Sequence, residues 1–207
     1  MEIIAHRGFW NKESEKNTLT AIKRAIDNGY GFETDYRDNN GTIVISHNMP
    51  LGNEPTAEEI FRLYRDSGTE STLALNIKAD GLQELLKDML NTYQIKKYFL
   101  FDMSIPDTID YILDNMNIAT RHSEYEKEFP FYSQSSYVWM DCFKSEWISW
   151  GNLEEHLKSG KKVCIVSPEL HKRPYKEVWN KYASFNHANL MLCTDFPMEA
   201  DFFLINK

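Results

Sequence analysis

Residues 3–47, IIAHRGFWNKESEKNTLTAIKRAIDNGYGFETDYRDNNGTIVISH, decide how the rest of this chain is read. They give a strand ending in His6-Arg7-Gly8, then an amphipathic helix over residues 18–28 with Ala21, Ile22, Ala25 and Ile26 on one stripe and Gly29 at its end. A second strand carries Glu33 and Asp35, and a short extended run ends in His47. Residues two apart on a strand point the same way, so Glu33 and Asp35 share a face and can hold one cation between them. Imidazoles flank that pair, and as a class they change charge near neutral pH. Hard oxygen donors beside such groups suit metal-assisted acid and base chemistry on an anionic ester. A single histidine after a strand is usually a packed or solvated loop residue, and an isolated ExD is often a wet strand face. Here every polar candidate falls at or just past the C-terminal end of a strand, where parallel α/β folds place their chemistry.

Beyond this stretch strands and helices keep alternating, which predicts a parallel sheet or barrel. Helices are expected over residues 56–65, 82–93, 106–113, 153–158 and 175–185, and strands over 73–78, 98–102, 118–121, 137–142, 162–166 and 190–193. With the two strands of the opening stretch that makes eight, the number a closed (β/α)8 barrel needs. The run HSEYEKEFPFYSQSS, residues 122–136, has no period, so the helix after the fifth strand is expected to be irregular or missing. Asn17 is the expected N-cap of the first helix. With no linker, repeat or low-complexity tract, residues 1–207 read as one domain.

The opening stretch resembles the glycerophosphodiester phosphodiesterase family, within the wider group of phospholipase-C-like barrel phosphodiesterases. The matches are His6-Arg7-Gly8 after the first strand, Asn17-Thr18 before the first helix, Glu33 with Asp35 on the second strand, and His47. Thr194-Asp195-Phe196-Pro197 is similar to the family's closing Thr-Asp-x-Pro turn. The resemblance implies a single TIM-type barrel that hydrolyses a small soluble phosphodiester with a glycerol, sugar or nucleotide part. His6 and His47 would be its catalytic acid and base, Glu33 and Asp35 its metal ligands, and Arg7 and Lys78 its phosphate-binding cations. A divalent cation, Mg2+ or Ca2+ with Mn2+ also fitting, is the implied cofactor.

Three positions depart from that pattern. Asn76-Ile77-Lys78 stands where the family has Glu-Ile-Lys, so the third metal ligand becomes an amide oxygen. Lys16 replaces the glutamate of the first turn, and Asn48 replaces the aspartate after the second histidine. Only the compact stretch 48–72 separates His47 from the third strand, so the small insertion common in the family is missing. Other polar residues fall at later strand ends: Asp102, Arg121, Glu124, Asp141, Glu169 and His171. They are expected to line the same mouth, as a polar pocket for a hydroxyl-rich or charged alcohol group.

A net charge of -8 argues against a nucleic-acid or anionic-membrane surface, and a bound cation can still reverse the local field for a phosphate. The three cysteines, Cys142, Cys164 and Cys193, lie in apolar runs without metal-ligand spacing, which fits a reducing, cytoplasmic setting. Neither a targeting segment nor a membrane span is expected. Two other functions share these residues: a silent barrel that binds a phosphorylated ligand, and a metal-dependent lyase or isomerase. The oligomeric state is not written in the sequence.

Overall fold

The structure is a computed structural model and describes residues 1–185 and 187–204. Its strands are β1 (Glu2–His6), β2 (Gly31–Asn39), β3 (Thr42–Ile45), β4 (Leu73–Ile77), β5 (Tyr98–Phe101), β6 (Ala119–Ser123), β7 (Tyr137–Asp141), β8 (Lys162–Val166) and β9 (Leu190–Thr194). The helices are α1 (Leu19–Asp27), α2 (Ala57–Ser67), α3 (Gln83–Thr92), α4 (Ile105–Leu113), α5 (Trp150–Lys158), α6 (Lys176–Tyr182) and α7 (Pro197–Leu204). Eight strands run parallel in the order β5-β4-β2-β1-β9-β8-β7-β6, and the two ends of that order meet through one bridge, Leu100 to Ile118. The result is the expected TIM-type barrel, closed everywhere by ladders except at the β5–β6 seam. The ninth strand, β3, lies outside the barrel and pairs antiparallel with β2.

Alternation along each strand divides the apolar residues into two layers. Ile4, Phe99, Trp139, Cys164 and Met191 fill the barrel interior, with the Phe101 and Trp139 rings stacked 4.1 Å apart. Ile3, Phe32, Leu75, Val138 and Leu192 face the other way and pack under the helices. Burying each such side chain contributes roughly 1.5–3 kcal/mol, so the inner layer makes a packed plug rather than a pore.

The helices start and stop where local chemistry allows. In α2, Thr56 and Glu59 form a reciprocal capping box and Gly68 ends the helix in a left-handed conformation. In α1 the buried stripe is Ala21, Ile22, Ala25 and Ile26, as the spacing predicts. The N-cap is Thr18, whose hydroxyl accepts from the Ala21 N–H, and not Asn17. Among the described residues no helix lies between β6 and β7. α7 was not foreseen from the sequence, and no helix is long and apolar enough to cross a membrane among the described residues.

Candidate active site

The inward-facing series that fills the barrel turns polar at the C-terminal ends of the strands. His6 follows two residues after Ile4, Asn76 two after Ala74, and Asp141 two after Trp139. Register brings the first of these together, since His6 pairs with Glu33 and Asp35 with Asn76.

The turn after β1 is built for close approach. Arg7 and Gly8 both take left-handed backbone conformations, with φ of 57° and 82°. A Cβ on Gly8 would stand 2.8 Å from the Ala21 carbonyl carbon, so glycine is required where the turn passes α1. The geometry lets the Arg7 backbone N–H donate to Glu33 Oε2 at 3.1 Å. The Arg7 guanidinium folds back to Asp35 Oδ2, also at 3.1 Å. Asn17, itself left-handed, donates its side-chain N–H to the same Asp35 oxygen at 2.8 Å. The residue expected to cap a helix therefore orients a carboxylate.

Glu33 and Asp35 are 1% and 0% exposed, and buried charges are costly unless paired. Burial, and next the charge of Asp35, pushes the Glu33 carboxyl above its usual range. Lys78 Nζ lies 3.6 Å from Asp35 Oδ1, and burial lowers its ammonium pKa against the pull of the two carboxylates. His6 is held by Asp195: Nδ1–H donates to Asp195 Oδ1 at 2.7 Å, while Nε2 stands 3.9 Å from Glu33 Oε2. Asp195 was visible in the sequence only as part of the closing turn. The barrel makes it a site residue, because β9 is the neighbour of β1.

His47 is exposed and lies outside these contacts. Its Nδ1–H donates to the side-chain oxygen of Asn48 at 2.9 Å, and it shares no contact with His6 or Glu33. It does leave the sheet beside the cluster, since the Ser46 N–H donates to the Asp35 carbonyl at 2.9 Å.

The other strand-end residues divide by what their polar atoms touch. Asp102, left-handed at φ 70°, binds both Lys78 at 3.4 Å and Arg121. These three line a cavity of about 970 Å³ that also includes Asp80, Ser104 and Tyr125. The cavity lies along the seam between β5 and β6, and Lys78, which reaches Asp35, links it to the acidic pair. Glu124 does not face it. Its carboxylate accepts from the backbone N–H groups of Phe143, Lys144 and Ser145, which hold its pKa at about 2 despite the opposing effect of burial. Glu169 is likewise internal, accepting from the Ser167 and Thr194 hydroxyls and from the Asp195 N–H at 3.1 Å. Burial raises its pKa, and its contacts brace the residue that holds His6. Asp141 accepts from His171 Nε2 at 2.6 Å.

A divalent cation is testable against these atoms. Among the described residues no three His, Cys, Asp or Glu side chains gather closely enough to hold one. Yet Asp35 Oδ1 and Asn76 Oδ1 are both buried acceptors without a hydrogen-bond donor, on paired positions of neighbouring strands. With Glu33 they form an all-oxygen set of two carboxylates and one amide, the donor type that hard cations take. The residues present fit such an ion.

No family model and no curated protein sequence matches the chain. Solved structures do, over nearly its full length. A glycerophosphodiester phosphodiesterase from Agrobacterium tumefaciens superposes with a TM-score of 0.71 at 13% identity, covering 98% of each chain. One from Parabacteroides distasonis gives 0.68 at 16% identity, over 99% of this chain and 97% of the other. A phosphodiesterase from Oleispira antarctica, in complex with the product sn-glycerol-3-phosphate, gives 0.67 at 15% identity over 100% and 97%. The chain has the barrel fold of the glycerophosphodiester phosphodiesterases, the family that its His-Arg-Gly turn and Glu-x-Asp strand resemble.

Proposed function

We propose that this protein is a metal-dependent phosphodiesterase acting on a small soluble diester with a glycerol, sugar or nucleotide part. The observation that carries the proposal is His6, braced by Asp195, standing over two fully buried carboxylates with an unpartnered amide oxygen beside them. Glu33, Asp35 and Asn76 would hold the divalent ion, Mg2+, Ca2+ or Mn2+. The chemistry such an ion supplies when bound is polarisation of a nonbridging phosphate oxygen.

The chain's own groups do the rest. Arg7 and Lys78 bring two positive charges to the place where negative charge grows on the phosphoryl oxygens. With its Nδ1–H on Asp195, His6 keeps Nε2 free to take a proton from water or from a neighbouring substrate hydroxyl. Asp195 fixes the tautomer and stabilises the resulting imidazolium. A second proton must reach the departing alkoxide, and the sequence offers His47 as the second imidazole. If a cyclic phosphate forms first, the two roles exchange as water opens it. The departing alcohol occupies the cavity beside Lys78, Asp102 and Arg121. The product class this reading expects is a phosphomonoester, the class of the sn-glycerol-3-phosphate in the Oleispira complex.

The test is hydrolysis of bis(p-nitrophenyl) phosphate and of a panel of glycerol diesters with added Mg2+, Ca2+ or Mn2+, and again with chelator. His6→Ala is expected to lower kcat by about 100-fold or more. Turnover that survives both His6→Ala and chelation undiminished would remove this reading.

A further inference from the structure

The barrel rim carries a second carboxylate–imidazole pair that the mechanism above leaves unused. Asp141 ends β7 on the inward face, 5% exposed, and accepts from His171 Nε2 at 2.6 Å. His171 closes the short 3-10 turn Pro168–His171 after β8, and its side chain is 23% exposed. Its Nδ1 has no protein partner among the described residues, so the pair repeats the His6–Asp195 arrangement with the ring reversed.

Two contacts tie this pair to the site. Glu169, two residues before His171 in the same turn, accepts from the N–H of Asp195, the residue that holds His6. On the other side the His171 ring lies 4.9 Å from Phe143, and the Arg121 guanidinium stacks 5.6 Å from that same ring. Contacts thus run from the His6 brace through Glu169 to the His171 turn, and from His171 through the Phe143 ring to Arg121 on the cavity wall. β7, four places from β2 in the closed strand order, lies across the barrel from it, which puts the Asp141–His171 pair on the rim opposite Glu33 and Asp35. By contrast His47 is exposed, and its partner is the neutral amide of Asn48, with no charge to set against an imidazolium.

We infer that His171, positioned by Asp141, is the acid that protonates the leaving alkoxide. The inference rests on the phosphodiesterase reading and deepens it. Water loses its proton to His6 Nε2 as the new P–O bond forms; where a substrate hydroxyl attacks first, the same proton transfer gives a cyclic phosphate that water then opens. The bond to the leaving oxygen breaks, and that oxygen takes the proton from His171 Nδ1. The net change is diester plus water to monoester plus alcohol, and exchange with solvent resets both rings.

The alternative is a latch that merely pins the loop after β8 to β7, and the two differ in leaving-group dependence. A p-nitrophenolate departs without an acid, whereas an alkoxide needs one. Turnover of bis(p-nitrophenyl) phosphate and of glycerophosphoethanol is measured for the full chain and for H171A, H171Q, D141N and H47A. The expected result is that the ratio of alkyl to aryl turnover falls by about 100-fold in H171A and H171Q. D141N is expected to show part of that fall and to displace the alkaline limb of the pH profile for the alkyl substrate alone. Equal losses on both substrates, no loss on either, or a fallen ratio in H47A in place of H171A would each overturn the assignment. Thermal melts exclude unfolding as the cause, and H171Q supplies a second variant should H171A melt early. A wild-type chain silent on both substrates under every divalent ion marks failure of the phosphodiesterase reading, distinct from failure of this assignment.

Discussion

Glu33 is kept as a carboxylate at a cost to the fold. Burial and the neighbouring Asp35 raise its pKa, so folding favours its protonated form. The sign follows from linkage: a raised folded pKa gives stability that is complete below the unfolded value, about 4.3, and lost as pH rises through the folded one. Glu33→Gln mimics the protonated state. It should raise the melting temperature at about pH 7 by a few degrees, roughly 1 kcal/mol for a domain of this size, and the gain should vanish at about pH 4, where both forms are neutral. A melt series over that range checks it; a variant less stable than wild type at neutral pH would contradict it. Asn76 gives the complementary experiment. Adding a third charge by Asn76→Asp should tighten divalent-ion binding by about tenfold, roughly 1.4 kcal/mol, read as a larger ion-induced melting shift. The pair Glu33 and Asp35 was legible because period two is enforced by the strand itself. Asp195 was visible only as part of a motif, since its role depends on β9 closing against β1 from 189 residues away. Asn17 was misplaced because two good caps stand side by side; its left-handed backbone sends it to Asp35 and leaves the cap to Thr18.

At the scale of elements, loops fix the rim, and Glu124 shows how. Its carboxylate gathers three consecutive backbone N–H groups of the loop after β7, the loop that carries Phe143 toward His171. Burial opposes the charge, yet those donors hold the pKa at about 2. A lowered folded pKa gives stability above the unfolded value that is lost as pH falls through the folded one. Glu124→Gln should cost about 1 kcal/mol at neutral pH, the scale of a lost charged hydrogen-bond set at a partly exposed site. The difference from wild type should close between about pH 5 and 2, as measured by urea unfolding at stepped pH. A pH-independent gap would mean the carboxylate is not the clamp. The sequence placed Glu124 in the mouth because a strand-end position was all it offered; which way a loop carboxylate turns depends on donors 19 to 21 residues on. The same limit hid α7. Its apolar residues run round the helix, with Met198 and Phe202 exposed, so it lacks the single stripe that betrayed α1 and α2. β3 was read as extended, but its antiparallel return comes from Asn40-Gly41, where both residues have positive φ, as a tight hairpin needs.

For the molecule as a whole, eight parallel strands were legible because alternation of strand and helix leaves few other arrangements. Where the barrel is weakest was not, since a seam is a property of pairing and not of any segment. β1 and β9 share four registered positions and β6 and β7 share five, whereas β5 and β6 meet at Leu100–Ile118 alone. The seam also borders the 970 Å³ cavity, which Phe101, Ile118 and Arg121 line. Fewer ladder bonds lower the free energy of local opening. The Leu100 N–H, donated to the Asn117 carbonyl, should therefore exchange with solvent faster than the amides joining β1 to β9, by about 100-fold, equivalent to roughly 3 kcal/mol in opening energy. A ligand lodged between Lys78 and Arg121 spans the two sides of this gap, because Lys78 follows β4 beside β5 while Arg121 lies on β6. Saturating phosphomonoester product should then slow exchange at Leu100 more than at Ile4 or Leu192. Protection that rises equally across the barrel would mean the ligand stabilises the fold as a unit and does not bridge the seam. Native-state hydrogen exchange with and without glycerol phosphate decides between the two.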